Sequence, residues 1–398
     1  MLLPGLARSW RGPHTLQLGA DPARAVLIDL PDPRGAGLID LLDGSRSERS
    51  VLARAGEYGL SPGDARDLID TLIAAGYVVA AAALQAPEPW LTGESAALAF
   101  RGEPVSSSRL SSYPRAATSP WPASAPPPAS SSQAASSPPS ASSPRSASSS
   151  LAGPLSPALP SSPALPSSPA GPPTPASPAQ ILRRRAAARV VITGPGRLGP
   201  PIAVALAEAG VGHIHLDLPG VVTAAELPGS RLRDTDIGQA RVEAVASALI
   251  RASPKIETRG VRRGAASLVI QLGHDQPVAL LAAAHLRRRQ PHLALSVREG
   301  MAAIGPLVPA TGAPCLNCVD LHRRERDPAW AGFLPSAEPC EVVTLLAAAA
   351  FAAGEVLTFL DGGTPETLGA TIEITRPGRF RRRTWHPHPD CHCIRVRR

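Results

Sequence analysis

Residues 190–210, "VVITGPGRLGPPIAVALAEAG", carry the pattern that indicates the fold of this protein most clearly. Its first residues are β-branched and apolar, which is typical of a strand buried on both faces of a parallel sheet. Gly194, Gly196 and Gly199 follow at the G-x-G-x-x-G spacing, which allows a tight turn, close approach of the backbone to phosphate, and close packing of helix on strand. Two prolines begin an alanine-rich helix that we expect to end near Gly210. The pattern predicts a βαβ unit that either binds a nucleotide or keeps the turn for packing alone.

The next strand is predicted in "HIHLD", residues 213–217. Asp217 ends this strand, roughly 20 residues past the glycine turn, where an acidic side chain can accept a ribose hydroxyl. An NAD-dependent oxidoreductase built on the same turn is disfavoured, because the chain offers no substrate domain and no His/Arg/Asp set for handling a hydride.

Composition excludes several classes of protein. The 398 residues exceed one ordinary domain, and 40 basic against 32 acidic residues give a net charge of +8. The basic residues are nearly all arginine, and their clusters lack interleaved aromatic residues, which argues against nucleic-acid binding and favours a solvated basic surface. No uncharged apolar run reaches the length of a membrane span, and no signal-peptide pattern opens the chain. We therefore expect a cytoplasmic protein whose five cysteines are metal ligands or thiols.

A proline-, serine- and alanine-rich segment divides the chain. Runs such as "SAPPPASSSQAASSPPS" have too little apolar surface to offset the entropy of ordering, so we predict a disordered linker over residues 91–180. Residues 1–90 and 181–398 then form a small and a large module.

The small module follows an α+β pattern. Strands are predicted at residues 14–19 and 24–29, and helices at residues 35–44 and 47–59. A third helix begins at Ser61, whose S-P-G-D sequence forms a capping box, and it ends before Gly76. Its apolar stripe is predicted to comprise Leu68, Leu72 and Ile73. The order indicates a winged-helix-like domain, with a generic helical cap as the alternative.

Four cysteines have the spacing of a metal site. "PCLNC" contributes Cys315 and Cys318, and "HPDCHC" contributes Cys391 and Cys393. Two close pairs from distant parts of a sequence are typical of tetrahedral Zn²⁺, and four thiolates leave no open position, so such an ion is structural. His386, His388 and His392 lie nearby and could replace a thiolate, although sulfur is the better fourth ligand.

The glycine turn followed by this divided cysteine site resembles the ThiF/MoeB superfamily, relatives of ubiquitin-activating enzymes. The resemblance extends from residue 182 to residue 393 and includes "AGVGHIHLD", "DIGQARVEAVASALIRASPKIE" and "GAPCLNC". It implies a Rossmann-like fold, a structural zinc, homodimerisation, and Mg-ATP-dependent adenylation of the C-terminus of a ubiquitin-like carrier protein.

Several positions depart from the ThiF pattern. Arg241 stands where the family has an ATP-contacting lysine, and only Arg231 or Arg233 can supply the family's arginine in "AELPGSRLR". In "SLVIQLGHDQP", Gln271 and His274 occupy the two acidic positions, the second of which holds Mg²⁺ in the family. These changes predict weak ATP binding or none. Cys340, which precedes a predicted helix, is either a reactive thiol like that of the sulfur-transferring members or a buried core residue.

The small module resembles the PqqD-like recognition element of RiPP biosynthesis. The similarity lies in "TLQLGADPARAVLIDL", "LLDGSRSERSVL" and "LIDTLIAAGYVV". It implies binding of a precursor leader peptide as an added strand beside the third helix, and the arginine-rich composition favours acidic leaders.

Together the two modules resemble the ThiF-like "C" protein of azoline-forming cyclodehydratases. That resemblance predicts a scaffold that delivers a leader peptide to a YcaO-type enzyme. The long linker suggests a loose tether between the two modules. An active ThiF/MoeB-type adenylyltransferase is the alternative.

Overall fold

The computed structural model describes most of the chain outside the proline-rich segment. The described residues are 1–20, 25–85, 88–101, 177–261, 266–273, 277–310, 312, 314–327, 339–376 and 378–393. All of them fall in one compact unit. Most of the predicted linker and His274 lie outside the described residues.

The small module contains a three-stranded antiparallel sheet and short helices. Its strands are β1 (Arg8–Trp10), β2 (Thr15–Leu18) and β3 (Val26–Asp29), in that order across the sheet. The helices that follow are α1 (Ala36–Asp40), α2 (Glu48–Ala53), α3 (Pro62–Ala74), α4 (Ala81–Leu84) and α5 (Thr92–Arg101). The predicted strands and three helices are present, whereas β1 and α4 were not predicted. The winged-helix likeness of this arrangement stays a prediction.

Helix α3 forms as its sequence predicts. The Ser61 hydroxyl accepts the N–H of Asp64 at 3.1 Å, the Asp64 carboxylate accepts from Ser61 in return, and Gly76 takes a positive φ just past the C-terminus. The predicted apolar stripe is wrong in one member. Leu68 and Leu72 are buried in the core of the module, but Ile73 is 46% exposed, because it lies one position past the buried face.

The large module is built on a seven-stranded mixed sheet. Its elements in chain order are α6 (Pro178–Ala187), β4 (Arg189–Thr193), α7 (Gly199–Glu208), β5 (His213–Asp217), α8 (Arg241–Ala252), β6 (Leu268–Gln271), α9 (Val278–Arg287), β7 (His292–Arg298), β8 (Met301–Val308), α10 (Leu316–Arg326), α11 (Val342–Leu360), β9 (Ala370–Arg376) and β10 (Arg379–Thr384). The strand order is β10-β9-β8-β7-β6-β4-β5, and the pairs among β5, β4, β6 and β7 are parallel. This is an α/β fold in which the glycine turn joins α7 to strand β4, which lies between β6 and the edge strand β5.

Helices cover both faces of this sheet. Side chains of β7 alternate, so that Leu293 and Leu295 join the core formed with α7, α8 and α11, whereas Ala294 joins a second cluster. That second cluster contains the four predicted zinc ligands with residues of α9 and α10. The cysteine site and the main core therefore lie on opposite faces of the sheet.

Helix α11 is long and apolar enough to span a membrane by length and composition, and it is the one such helix in the described part of the chain. Here it packs against α7, β8 and β9, with Leu345, Ala352 and Val356 buried. Its Glu355 is also buried, and its carboxylate accepts the backbone N–H groups of Glu366 and Thr367 at 3.1 and 2.6 Å. These contacts identify α11 as a core helix of the domain.

The two modules are in contact, which a loose tether does not predict. One carboxylate oxygen of Glu299, in the β7–β8 turn, accepts the N–H of Ala7 at 3.3 Å and that of Ala20 at 2.8 Å. Arg11 forms an ion pair with Asp327. Residues 92–101, within the predicted linker, form α5, whose amphipathic sequence buries Ala96, Ala97 and Phe100. Helix α6 begins at Pro178, in the last residues of the predicted linker, where Ser177 and Gln180 form a capping box.

Candidate functional site

The four predicted zinc ligands meet in one buried cluster. The Sγ atoms of Cys315 and Cys318 are 3.9 Å apart, those of Cys315 and Cys391 are 3.5 Å apart, and those of Cys318 and Cys393 are 3.4 Å apart. All four thiols are free of disulfides and lie within 4.8 Å of one another. Tetrahedral zinc with Zn–S bonds of about 2.3 Å requires sulfurs roughly 3.8 Å apart. The cluster therefore has the donor set and the dimensions to hold a metal ion.

Proton sharing among the sulfurs points to the same conclusion. Hydrogen bonds with Cys318 and Cys393, followed by burial, raise the pKa of Cys315. Hydrogen bonds from Cys315 and Cys393 lower the pKa of Cys318. Four clustered sulfurs can all become thiolates only when a cation balances their charge, which a divalent metal would do.

A second set of side chains holds the cysteine loops in place. Nε2 of His388 lies 2.8 Å from Glu325, and the hydrogen bond from His388 lowers the pKa of that carboxyl. His322 lies one helical turn beyond Cys318, and its Nε2 is 3.0 Å from the carbonyl oxygen of His386. These contacts join α10 to the loop that carries Cys391, so the histidines support the cysteine loops and are not needed as ligands.

The glycine turn has the geometry that its sequence predicts. Gly194 and Gly196 have φ values of 103° and 137°, and a Cβ on Gly194 would stand 2.5 Å from the carbonyl oxygen of Gly273. Gly199 begins α7, where a Cβ would stand 3.0 Å from a methyl group of Leu272. Packing alone therefore requires glycine at the first and third positions, whether or not a phosphate is bound.

Asp217 and Gln271 both lie beside this turn, at the carboxyl ends of their strands. The Asp217 carboxylate accepts the hydroxyl of Thr193 at 2.8 Å and is exposed. Gln271 is buried, with its amide nitrogen 3.3 Å from where a Cβ on Gly194 would stand. Asp217 can still accept a ribose hydroxyl, whereas Gln271 offers a neutral amide where the ThiF pattern has its first carboxylate.

The two arginines predicted to contact nucleotide are placed differently. Arg231 pairs with Glu208 at 3.3 Å, at the end of α7 opposite the glycine turn and roughly 15 Å along that helix from Gly199. Arg241 is close to the loop after β5, but its guanidinium is already bonded. It donates to both carboxylate oxygens of the buried Glu226, at 2.7 and 3.0 Å, and to the carbonyl oxygens of Pro219 and Val221. Arg241 thus fixes a loop in this structure.

Cys340 is a buried core residue. It is 0% exposed within the main core, two positions before α11, and its carbonyl oxygen accepts Nη1 of Arg197 at 3.0 Å. This burial agrees with the core-residue alternative, and a reactive thiol at this position stays a prediction.

Residues 88–101 lie across the carboxyl edge of the parallel strands. Gly93 lies against Arg197 of the glycine turn, since a Cβ there would stand 2.9 Å from Nη1 of the arginine. Glu94 accepts the N–H of Val342, the first residue of α11, at 2.7 Å. Phe100 is buried beside Gly300, and residues 89–91 pack against residues 224–226 after β5. Nucleotides bind at this edge in open α/β sheets, so the chain itself covers the corresponding crevice.

The small module contains an apolar groove between β3 and α3. Its volume is about 460 Å³, and its lining comprises His14, Leu27, Ile28, Asp29, Leu30, Pro31, Leu60, Asp64, Leu68 and Thr71. The α3 members occupy positions i, i+4 and i+7, which form one face of the helix. The lining is apolar at the base and polar at the margins.

One edge of β3 faces this groove without a partner strand among the described residues. The N–H of Leu30 bonds to the carbonyl oxygen of His14, and hydrogen-bonded pairs alternate in an antiparallel ladder. Val26 and Ile28 therefore bond to β2, whereas the N–H and C=O groups of Leu27 and Asp29 point away from the sheet. The edge offers these main-chain groups to an added strand.

Sequence reasoning missed several residues that shape these sites. Glu94, Glu226 and Glu299 are isolated carboxylates whose partners are distant in sequence, so no pattern marks them. Arg197 could have been noticed, since it is a large charged residue inside a glycine turn.

Comparison with protein families gives one match. Residues 176–281 match the ThiF family. A comparison with curated proteins found no match.

Solved structures align with between about half and nearly all of this chain, at low sequence identity. E. coli MccB with ATP is 14% identical, with 98% of each chain covered and a TM-score of 0.44. E. coli MccB with MccA-N7isoASN is 20% identical, covering 53% of this chain and 68% of that chain at a TM-score of 0.43. PaaA is 16% identical, covering 51% of this chain and 75% of that chain at a TM-score of 0.42.

Proposed function

Because residues 176–281 form a ThiF-family domain, we propose that this protein is a peptide-binding scaffold of RiPP biosynthesis whose ThiF domain no longer adenylates. In this proposal the small module is a PqqD-like recognition element that binds a precursor leader peptide. The ThiF domain then presents the peptide to a separate YcaO-type cyclodehydratase, and two copies of the chain form a homodimer.

The free edge of β3 carries the proposal. Main-chain groups of Leu27 and Asp29 point outward beside an apolar groove, and α3 forms the opposite wall. An extended peptide added here would gain main-chain hydrogen bonds from the edge and side-chain contacts from the groove. Natural proteins avoid leaving such an edge open, so an edge left free beside a groove favours a binding role.

The surroundings of the glycine turn support the loss of adenylation. Arg241 forms an ion pair with Glu226, and Arg231 lies at the end of α7 far from the glycine turn. Gln271 replaces a carboxylate of the ThiF pattern. Residues 88–101 also occupy the edge where a nucleotide would enter. Each lost charged contact typically costs 1.5 kcal/mol or more, so affinity for Mg-ATP should fall roughly tenfold per contact.

A structural zinc fits the four cysteines and would act on the fold alone. When bound, the ion would cross-link the two loops that carry the cysteines. The four thiolates would fill its coordination sphere and leave no position for a substrate. Cys315 and Cys318 would hold it at the start of α10, and Cys391 and Cys393 would hold it from the loop after β10.

Leu27→Pro tests peptide binding by strand addition. The N–H of Leu27 points away from β2, so proline removes one outward donor and leaves the β2–β3 ladder its bonds. We expect binding of a fluorescein-labelled precursor leader peptide to weaken at least tenfold by fluorescence anisotropy. The control Leu27→Ala keeps the N–H and should retain most of the binding. Unchanged binding in the proline variant would contradict strand addition.

An active adenylyltransferase is the second candidate, because the glycine turn and Asp217 keep the geometry of a nucleotide site. Calorimetry with Mg-ATP and pyrophosphate exchange with candidate carrier proteins separate the two functions. Absence of both ATP binding and pyrophosphate exchange supports the scaffold. Micromolar ATP binding with exchange activity would establish the enzyme instead.

A further inference from the structure

The margins of the β3–α3 groove carry negative charge, although the whole chain is basic. Asp29 ends β3 on one side of the groove and Asp64 lies in the first turn of α3 on the other. Residues 1–85 contain eight arginines and ten acidic residues, a net charge of −2, against +8 for the whole chain. The surplus of arginine therefore lies outside residues 1–85. The charge around the groove is negative, whereas the composition of the whole chain suggests a positive one.

Neither carboxylate is neutralised by a cation among the described residues. Asp29 accepts the Thr15 hydroxyl at 2.6 Å, and Asp64 accepts the Ser61 hydroxyl at 2.7 Å. These neutral donors orient the carboxylates and leave their charges in place. His14 is the one basic side chain in the groove lining.

From this arrangement, and resting on the proposed function, we infer that the groove selects an extended peptide segment bearing lysine or arginine beside apolar residues. Apolar side chains would enter the groove over Leu30, Leu60 and Leu68. A basic side chain at a margin position could reach Asp29 from the strand side or Asp64 from the helix side, with its aliphatic stem on the apolar lining. An acidic peptide would meet like charges at both margins, which disfavours the leader chemistry that overall composition predicts.

Three fluorescein-labelled peptides test this inference on the full-length, zinc-loaded protein. They share one length and one alternating apolar–polar pattern, and their polar positions are all lysine, all glutamine or all glutamate. We expect the lysine peptide to bind about tenfold more tightly than the glutamate peptide, with the glutamine peptide between them. Raising the salt concentration should weaken the lysine peptide selectively.

The double variant Asp29→Asn, Asp64→Asn should reduce that preference to about twofold or less. Asparagine keeps an oxygen acceptor for Thr15 and Ser61, so the fold and the helix cap are retained. The double variant Asp67→Asn, Asp70→Asn is the matched control, because it removes the same two charges from exposed positions of α3 outside the groove. It should leave the preference intact.

The outcomes separate this inference from the proposed function. If all three peptides bind the unmodified protein equally, and Leu27→Pro abolishes that binding, the charge preference is overturned. Binding by strand addition is then still supported. Tightest binding of the glutamate peptide would overturn the charge preference as well, and would restore the acidic leader. A failure of every peptide to bind the unmodified protein would reject both the preference and the proposed function.

Discussion

At the scale of single residues, two buried histidines make folding sensitive to acid. His285 on α9 and His292 on β7 stack with their ring centroids 4.1 Å apart, and three of their four ring nitrogens have no hydrogen-bond partner in the described part of the chain. Burial, then the charge of Arg288, lowers the pKa of His285 to about 4. Burial, then the neighbouring His285, lowers the pKa of His292 to about 3. Both rings are neutral in the folded protein at pH 5, whereas both charge in the unfolded chain.

The sign of the pH effect follows from these lowered values. Between about pH 4 and pH 6.5 the unfolded chain binds more protons, so the free energy of unfolding falls as the pH falls. We expect a loss of about 1–2 kcal/mol per histidine from pH 7 to pH 5, measured by urea unfolding. The double variant His285→Leu, His292→Phe should reduce the dependence of the free energy of unfolding on pH. Any release of zinc in acid would affect the variant and the unmodified protein alike. An equal pH dependence in both proteins would contradict the lowered pKa values.

The ion pair between Arg241 and Glu226 gives a second prediction at this scale. Lysine, which stands at this position in the ThiF pattern, cannot reproduce the two-pronged contact or reach the carbonyl oxygens of Pro219 and Val221 as well. Arg241→Lys should therefore lower the free energy of unfolding by about 1–3 kcal/mol. It should create no Mg-ATP binding by calorimetry. A stable variant that binds ATP would show that this arginine alone blocks the nucleotide site.

At the scale of structural elements, a metal ion held by the four clustered cysteines would connect the start of α10 to the loop that carries Cys391 and Cys393. Cys315→Ser should release the metal, detected by elemental analysis, and should destabilise the large module, because metal binding contributes directly to folding. Cys340→Ser is the control, since this cysteine is buried on the other side of the sheet and should leave the metal content unchanged. A protein without metal that folds equally well in both forms would refute a structural zinc.

Elements whose signals are local could be predicted from the sequence. Each of these signals depends on residues only a few positions apart, so it can be recognised from the sequence. The glycine turn, the capped helix α3 and the cysteine pairs are the examples here. Strand β1 could not be predicted, because three residues with one buried side chain show no periodicity. The ion pair between Arg241 and Glu226 depends on the path of the loop after β5, and no local sequence pattern specifies that path. The charge of the groove was misjudged because composition averages over modules of opposite charge.

At the scale of the whole molecule, the proline-rich segment separates two modules that touch. Its composition makes residues 102–176 the expected first site of proteolysis. Cleavage should not release the modules from each other, because Glu299, Glu94 and the pair of Arg11 with Asp327 all join them. We expect two fragments that elute together in size-exclusion chromatography after limited proteolysis. In the proposed function, a peptide bound at β3 would then be held at a fixed place on the large module.

Weakening the contacts between the modules tests this arrangement directly. Glu299→Gly removes the carboxylate that accepts from Ala7 and Ala20, and glycine suits the φ of 48° at this turn better than alanine would. Glu94→Ala removes the acceptor for the N–H of Val342. Each lost acceptor leaves a partly buried donor unpaired at about 1–3 kcal/mol, so the double variant should yield fragments that separate after cleavage. If the fragments of the unmodified protein already separate, the modules are tethered only by the linker, and leader delivery depends on its length.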